Sequence, residues 1–175
     1  MSTLGSVTGE TIAPRIVLRE EAPELSRAMR ALDRAEHDFG RLDPVIRELV
    51  NIRVSQVNGC AFCIDMHTKD ARAAGETEQR IYALSAWRET PFFTQRERAA
   101  LALAEAITLI ADSHVPDEVY AEAEQNFEAD ELAALIWRAT IINALNRTAI
   151  TTRMAPGSHR AAGSNSVEPM PSIQS

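Results

Sequence analysis

The chain reads as an all-α protein, and three observations carry that reading. Alanine, leucine, glutamate and arginine are abundant, side chains that lose little entropy in a helix, while aromatic residues make up only 5%. Apolar positions recur every three or four residues along most of the chain, the spacing of one helix face. Helix entry and exit signals punctuate that pattern. The nearest approach to a strand, IRVSQV at 52–57, alternates only in part and is embedded in a helical pattern.

Taken in order, residues 1–14 are rich in Ser, Thr and Gly and read as a flexible N-terminal arm. Leu25, Met29 and Leu32 follow Pro23 at helical spacing, and Gly40 stops that helix. Asp43 before Pro44 reads as an N-cap with proline in the first turn, opening a helix through Val45, Ile46, Leu49, Val50 and Ile52. Asn58-Gly59 breaks it, because both residues tolerate left-handed backbone angles. A new helix begins near Cys60 and ends near Gly75. Others are expected over about 77–88, 95–112, 117–127 and 130–150, with Thr94, Asp117 and Asp130 as entry residues. The helical domain is thus placed at 15–153. From 154 to 175, Pro, Gly and Ser with few large apolar residues cannot offset ordering entropy, which predicts a disordered C-terminal tail.

The totals exclude several classes. With 25 acidic against 18 basic side chains and a net charge of -7, the surface lacks the basic character that general nucleic-acid binding requires. No run approaches the roughly 18 apolar residues of a membrane span; AALALAEAITLIA at 99–111 is interrupted by Glu105. The N-terminus has no basic start followed by an apolar stretch. A cytoplasmic protein in a reducing compartment is expected, where a close cysteine pair is more often catalytic or metal-binding than a permanent disulfide.

Chemistry concentrates in NGCAFCIDMH at 58–67, which holds the only two cysteines. On a helix starting at Cys60, Cys63 and His67 share one face. A helix N-terminus favours thiolate over thiol, and a histidine beside it can exchange the proton. Three readings compete: a redox pair, part of a zinc site, or two buried apolar residues. Cys60, Cys63 and His67 supply three zinc ligands where a structural site takes four, and only His37, His114 or a carboxylate remains to complete it. A thioredoxin-like reading needs a preceding strand that the chain lacks.

With Glu48 included, Glu48, Cys60, Cys63 and His67 reproduce E-x(11)-C-x-x-C-x-x-x-H. This resembles the signature of the alkylhydroperoxidase D-like proteins of the carboxymuconolactone decarboxylase superfamily. RELVNIRVSQVNGCAFCIDMHTKDARAAGE is similar to the family core, and the resemblance extends over about 15–153. It implies a compact multi-helix fold assembling into trimers or hexamers, and a thiol-dependent peroxidase acting on hydrogen peroxide or alkyl hydroperoxides, with no cofactor and no metal. In that scheme Cys63 attacks, Cys60 resolves, and His67 with Glu48 relays protons. A dithiol reductant, a lipoyl-type adaptor in the best-known members, restores the thiols. Members nearest the founding enzyme resemble C-x-H-C; here Phe62 takes the histidine's place. The family's decarboxylase branch, acting on a carboxylated muconolactone of aromatic catabolism, is the alternative enzyme. A non-catalytic helical oligomer that senses redox state or holds metal is the alternative binding module.

Elsewhere, Trp87 and Trp137 read as core or subunit contacts, and Phe92-Phe93 as packing. Arg47-Glu48, taken alone, reads as a solvated pair. Asn143 and Asn146, on a largely apolar helix, need partners and read as fixing a helix crossing or a subunit contact rather than doing chemistry.

Overall fold

The computed structural model describes residues 13–161. Within them the fold is all-α: α1 (Leu18–Glu21), α2 (Pro23–Phe39), α3 (Pro44–Asn58), α4 (Ala61–Ala73), α5 (Glu78–Ala83), a 3₁₀ helix (Leu84–Glu89), α6 (Gln95–Thr108), α7 (Ile110–Ser113), α8 (Asp117–Asn126) and α9 (Ala129–Thr152). Most of the expected N-terminal arm and disordered tail, residues 1–12 and 162–175, lies outside the described residues. Residues 154–161 run back along α4, where the Gly157 N–H donates to Asp65 and His159 Nε2 lies 2.7 Å from Asp70 Oδ1.

The entry and exit chemistry is local. Asp43 accepts from the backbone of Val45 and Ile46 with Pro44 in the first turn. Thr94 and Glu97 form a reciprocal capping box. Gly40 and Gly59 close α2 and α3 in the left-handed conformation, φ 65° and 72°. Entry to the last helices shifts by a residue or two. Pro116 caps α8 in front of Asp117, and Glu128, in a capping box with Glu131, opens α9 ahead of Asp130.

Two expected helices are each divided. The segment over 77–88 changes from α to 3₁₀ at Leu84, with Ala86 outside helical angles. In a 3₁₀ turn residues i and i+3 eclipse, so Leu84 and Trp87 both turn inward and are buried. The segment over 95–112 breaks at Leu109. There Thr108 Oγ1 donates back to the Ala104 carbonyl at 2.7 Å, a bond that bends helices.

Helix α3 is the hub. It packs on α4, α6 and α9 and faces two apolar clusters. Ile46, Val50 and Val54 join Cys60, Cys63, Leu103, Leu135 and Ile142, while Leu49 and Ile52 join Ala71, Ile81, Leu84, Trp87, Phe93 and Leu101. Glu105, which interrupts the apolar run of α6, is buried as a knot. It accepts from Arg53 (2.5 Å), the Trp87 indole (2.8 Å) and Arg88 (2.5 Å). By contrast α2 lies on the surface: Leu25, Leu32 and Phe39 are exposed, and so is Trp137 on α9. Among the described residues no helix is long and apolar enough to cross a membrane.

Candidate active site

The site is built at the joint between α3 and α4. Gly59 turns the chain, the Cys60 N–H bonds back to the Ser55 carbonyl at 2.9 Å, and Cys60 becomes the N-cap of α4. Its Sγ accepts from the Cys63 N–H at 3.4 Å, standing where a Ser or Asp oxygen usually satisfies an orphan amide. Cys63 lies one turn on and His67 one turn further, and with Ala71 they form the buried face of α4.

Both cysteines are free, both are buried, and their sulfurs are 2.8 Å apart. The pair shares a proton unequally. The hydrogen bond with Cys63 draws the Cys60 thiol down to about 7 against the opposing effect of burial, helped by the amides of Cys63 and Phe62 and by Asn146. The same bond, with burial and the adjacent charge, pushes Cys63 well up. Of the two thiols, Cys60 is therefore the one that ionises more readily.

Glu48 reaches His67 from α3. Its Oε2 lies 2.9 Å from Nδ1, and Oε1 accepts from Asn51 Nδ2 at 3.2 Å. A carboxylate on Nδ1 holds the proton there and leaves the lone pair on Nε2. That Nε2 is buried without a hydrogen-bond partner among the described residues. The four side chains of the sequence motif thus form two pairs, dithiol and relay, on one face of α4. Arg47 is not the partner of Glu48; it pairs with Glu36 at 2.8 Å. His37 and His114 are exposed, and among the described residues no three His, Cys, Asp or Glu side chains are placed to hold one metal ion.

A polar floor lies behind the sulfurs, and the four-residue motif includes none of it. Asn58 Nδ2 donates to both Asn143 Oδ1 and Asn146 Oδ1 at 2.9 Å, and Asn146 Nδ2 donates to Ser55 Oγ at 3.0 Å. Asn143 and Asn146 do fix the crossing of α9 with α3, and Asn146 does so on the side of the dithiol, where it lowers both thiols. The available signal was paired polar residues, Ser55 with Asn58 and Asn143 with Asn146, each three apart and so on one helix face.

Residues 23–106 match the model of the carboxymuconolactone decarboxylase family, a span containing all four motif residues but not Asn143 or Asn146. The uncharacterized protein YdfG of Bacillus subtilis is 45% identical over 139 residues, covering 79% of this chain and 94% of its own. A crystal structure from Agrobacterium tumefaciens, ATU0492, a protein of unknown function and putative antioxidant defence protein AhpD, superposes with a TM-score of 0.80 at 35% identity. It covers 83% of this chain and 99% of that one. The alkylhydroperoxidase AhpD core structure of a peroxidase-related protein from Ralstonia eutropha shares the fold, with a TM-score of 0.70 at 20% identity over 80% of this chain and 74% of that one.

Proposed function

Because the chain belongs to the carboxymuconolactone decarboxylase family, as an alkylhydroperoxidase D-like member, we propose that it is a thiol peroxidase. Membership supports a peroxidase-related or a decarboxylase-type activity. The observation that favours the first is the pair of free sulfurs 2.8 Å apart at the start of α4, which decarboxylation does not need.

In the proposed cycle the substrate is hydrogen peroxide or an alkyl hydroperoxide. Cys60, the more readily ionised thiol, acts in its thiolate form as the local base for Cys63. The shared proton crosses from Cys63 to Cys60, and the Cys63 thiolate attacks the terminal peroxide oxygen. The O–O bond breaks, Cys63 becomes a sulfenic acid, and the departing alkoxide or hydroxide takes a solvent proton relayed through His67 Nε2, while Glu48 holds the Nδ1 proton and steadies the imidazolium that forms. Cys60 then attacks the Cys63 sulfur, its proton leaves with the hydroxyl as water, and a disulfide forms. One peroxide is reduced by two electrons for two thiols oxidised. Thiol–disulfide exchange with a dithiol of the lipoyl type restores the pair, which suits a reducing compartment such as the cytoplasm. Self-association is part of the proposal, supported by the uncovered Leu32, Phe39 and Trp137 on α2 and α9; sedimentation giving only a monomer would remove that part.

Thiol titration before and after one equivalent of hydroperoxide tests the function. Both thiols of each chain should disappear into an intramolecular disulfide, Cys63→Ser should consume no peroxide, and Cys60→Ser should stop at a sulfenic acid trapped by dimedone on Cys63. Thiols that survive peroxide unchanged sink the proposal. A sulfenic acid trapped instead on Cys60 in Cys63→Ser exchanges the two roles. Release of carbon dioxide from a lactone acid by the Cys60→Ala/Cys63→Ala protein would assign the decarboxylase branch.

A further inference from the structure

Behind the dithiol lies a row of amides whose polarity is set from its far end. The Arg147 guanidinium, which can only donate, gives a hydrogen bond to Asn143 Oδ1 at 2.8 Å, fixing that atom as oxygen. Asn143 Nδ2 correspondingly donates to the Ala139 carbonyl and to Thr108 Oγ1, both at 2.9 Å. The atom of Asn58 that faces Asn143 Oδ1 must then be its NH₂, and the same group faces Asn146 at 2.9 Å, so Asn146 presents Oδ1 to it. This turns Asn146 Nδ2 the other way, onto Ser55 Oγ at 3.0 Å and to the side of the dithiol, where its N–H lowers both thiols. Ser55, already accepting from Asn146, has its hydroxyl proton left for Cys63. Every step hands a donor toward sulfur. Asn146 is wholly buried, so its amide neither trades partners with solvent nor is screened by it.

We propose that Asn146 serves this site as a buried, oriented donor that favours thiolate charge on the Cys60–Cys63 pair through its N–H groups. Asn58 and Asn143 are positioning residues that fix which way the Asn146 amide points. The proposal deepens the dithiol reading above and rests on it only in requiring that the pair ionise; it does not require that the oxidant be a peroxide. It assigns a function to α9, which the family motif on α3 and α4 does not touch. A buried thiolate without donors is costly, and the Cys60 cap position satisfies it from one side only.

The titratable groups on the surrounding elements are otherwise engaged. Glu48 on α3 and His67 on α4 hold each other, Glu105 on α6 is held by Arg53 and Arg88, and Arg147 on α9 is spent on Asn143. A change in sulfur ionisation caused at Asn146 or Asn58 is therefore read directly at the thiols.

The experiment measures the iodoacetamide alkylation rate of the reduced full-length chain against pH, together with the dithiol–disulfide equilibrium in a dithiothreitol buffer. Asn146→Asp keeps the shape, removes both N–H donors and adds a like charge. Its alkylation midpoint should rise by at least one unit, a loss of thiolate at neutrality of about fivefold or more, and the disulfide should become harder to reduce because the dithiol form loses stabilisation. Asn58→Asp presents an acceptor to Asn146 Oδ1, turning the Asn146 amide around, and should raise the midpoint from outside the sulfur contacts. Asn146→Ser, which restores a donor, should recover part of the shift. An unchanged midpoint in folded Asn146→Asp overturns the proposal. If that variant does not fold, an unchanged midpoint in Asn58→Asp does so. Failure to consume peroxide in the wild type, with these shifts present, would discard the peroxidase reading and leave this one standing.

Discussion

At the scale of single residues, chemistry is decided by partner rather than by type. Glu48 and Glu105 are both acidic residues in helix interiors, yet one is turned on an imidazole and the other on two guanidinium groups and an indole. The neighbour Arg47, which would have made Glu48 a solvated ion pair, is drawn off by Glu36. Glu48 is thereby left to orient His67 and carry its proton. Glu48→Gln keeps an oxygen for the Nδ1 proton and removes the charge. Peroxide turnover should fall by about a hundredfold, the range of a general acid–base contribution. The thiol alkylation midpoint should stay near 7, because the donors lowering the Cys60 thiol are Cys63, the Cys63 and Phe62 amides and Asn146. Stopped-flow peroxide consumption and the alkylation profile separate the two effects, and a joint change in both would mean that the relay and the dithiol are one unit.

At the scale of elements, the joint between α3 and α4 does the positioning. Gly59 has φ 72° with nothing within 4 Å of an added side chain, so the cost of Gly59→Ala is backbone strain alone, about 1 kcal/mol. A lower urea midpoint should accompany a slower sulfur reaction, since strain relieved at residue 59 moves the Cys60 cap. A change in stability with unaltered thiol reactivity would show that the joint does not aim the site. The breaks at Gly40, Asp43-Pro44 and Asn58-Gly59 were legible because each rests on the residue's own backbone chemistry. The 3₁₀ turn at Leu84–Glu89 and the break at Leu109 were not. They answer to burial of Trp87 and to a Thr108 hydroxyl shared with Ala104 and Asn143, and no local propensity announces such tertiary demands. The same division holds within the site. Cys60, Cys63 and His67 lie on one short helix and Glu48 completes a known spacing, whereas Asn58 meets Asn143 and Asn146 across 85 and 88 residues of chain.

At the scale of the whole molecule, α3 is buried on nearly every side, and the sulfurs belong to the same apolar cluster as its Ile46, Val50 and Val54. Stability and site are therefore not separable, and the Glu105 knot is where this can be read. It ties Arg53 of α3, the 3₁₀ segment and α6 through a single carboxylate. Burial pushes the Glu105 carboxyl up, and the bonds from Trp87, Arg53 and Arg88 more than reverse this, leaving it below its ordinary range. Glu97 is lowered by the same balance, with Arg80 and the Thr94 backbone as donors. A carboxyl whose folded value lies below its unfolded one binds fewer protons folded than unfolded. Its contribution is thus fully present above the unfolded value near 4.3 and is lost as pH falls through the folded value. Urea midpoints should accordingly hold from pH 7 to about 5 and drop steeply below about 4. Glu105→Gln should flatten part of that acid decline, because the residue that titrates has been removed. Glu105→Ala strands Arg53 and the indole N–H in a buried site and should cost about 3 kcal/mol at pH 7. The aim of α3 would go with it, so sulfur reactivity should fall alongside stability. An acid profile of Glu105→Gln superimposable on the wild type would show that the acid transition is set by other carboxylates and that the knot does not govern the fold around α3.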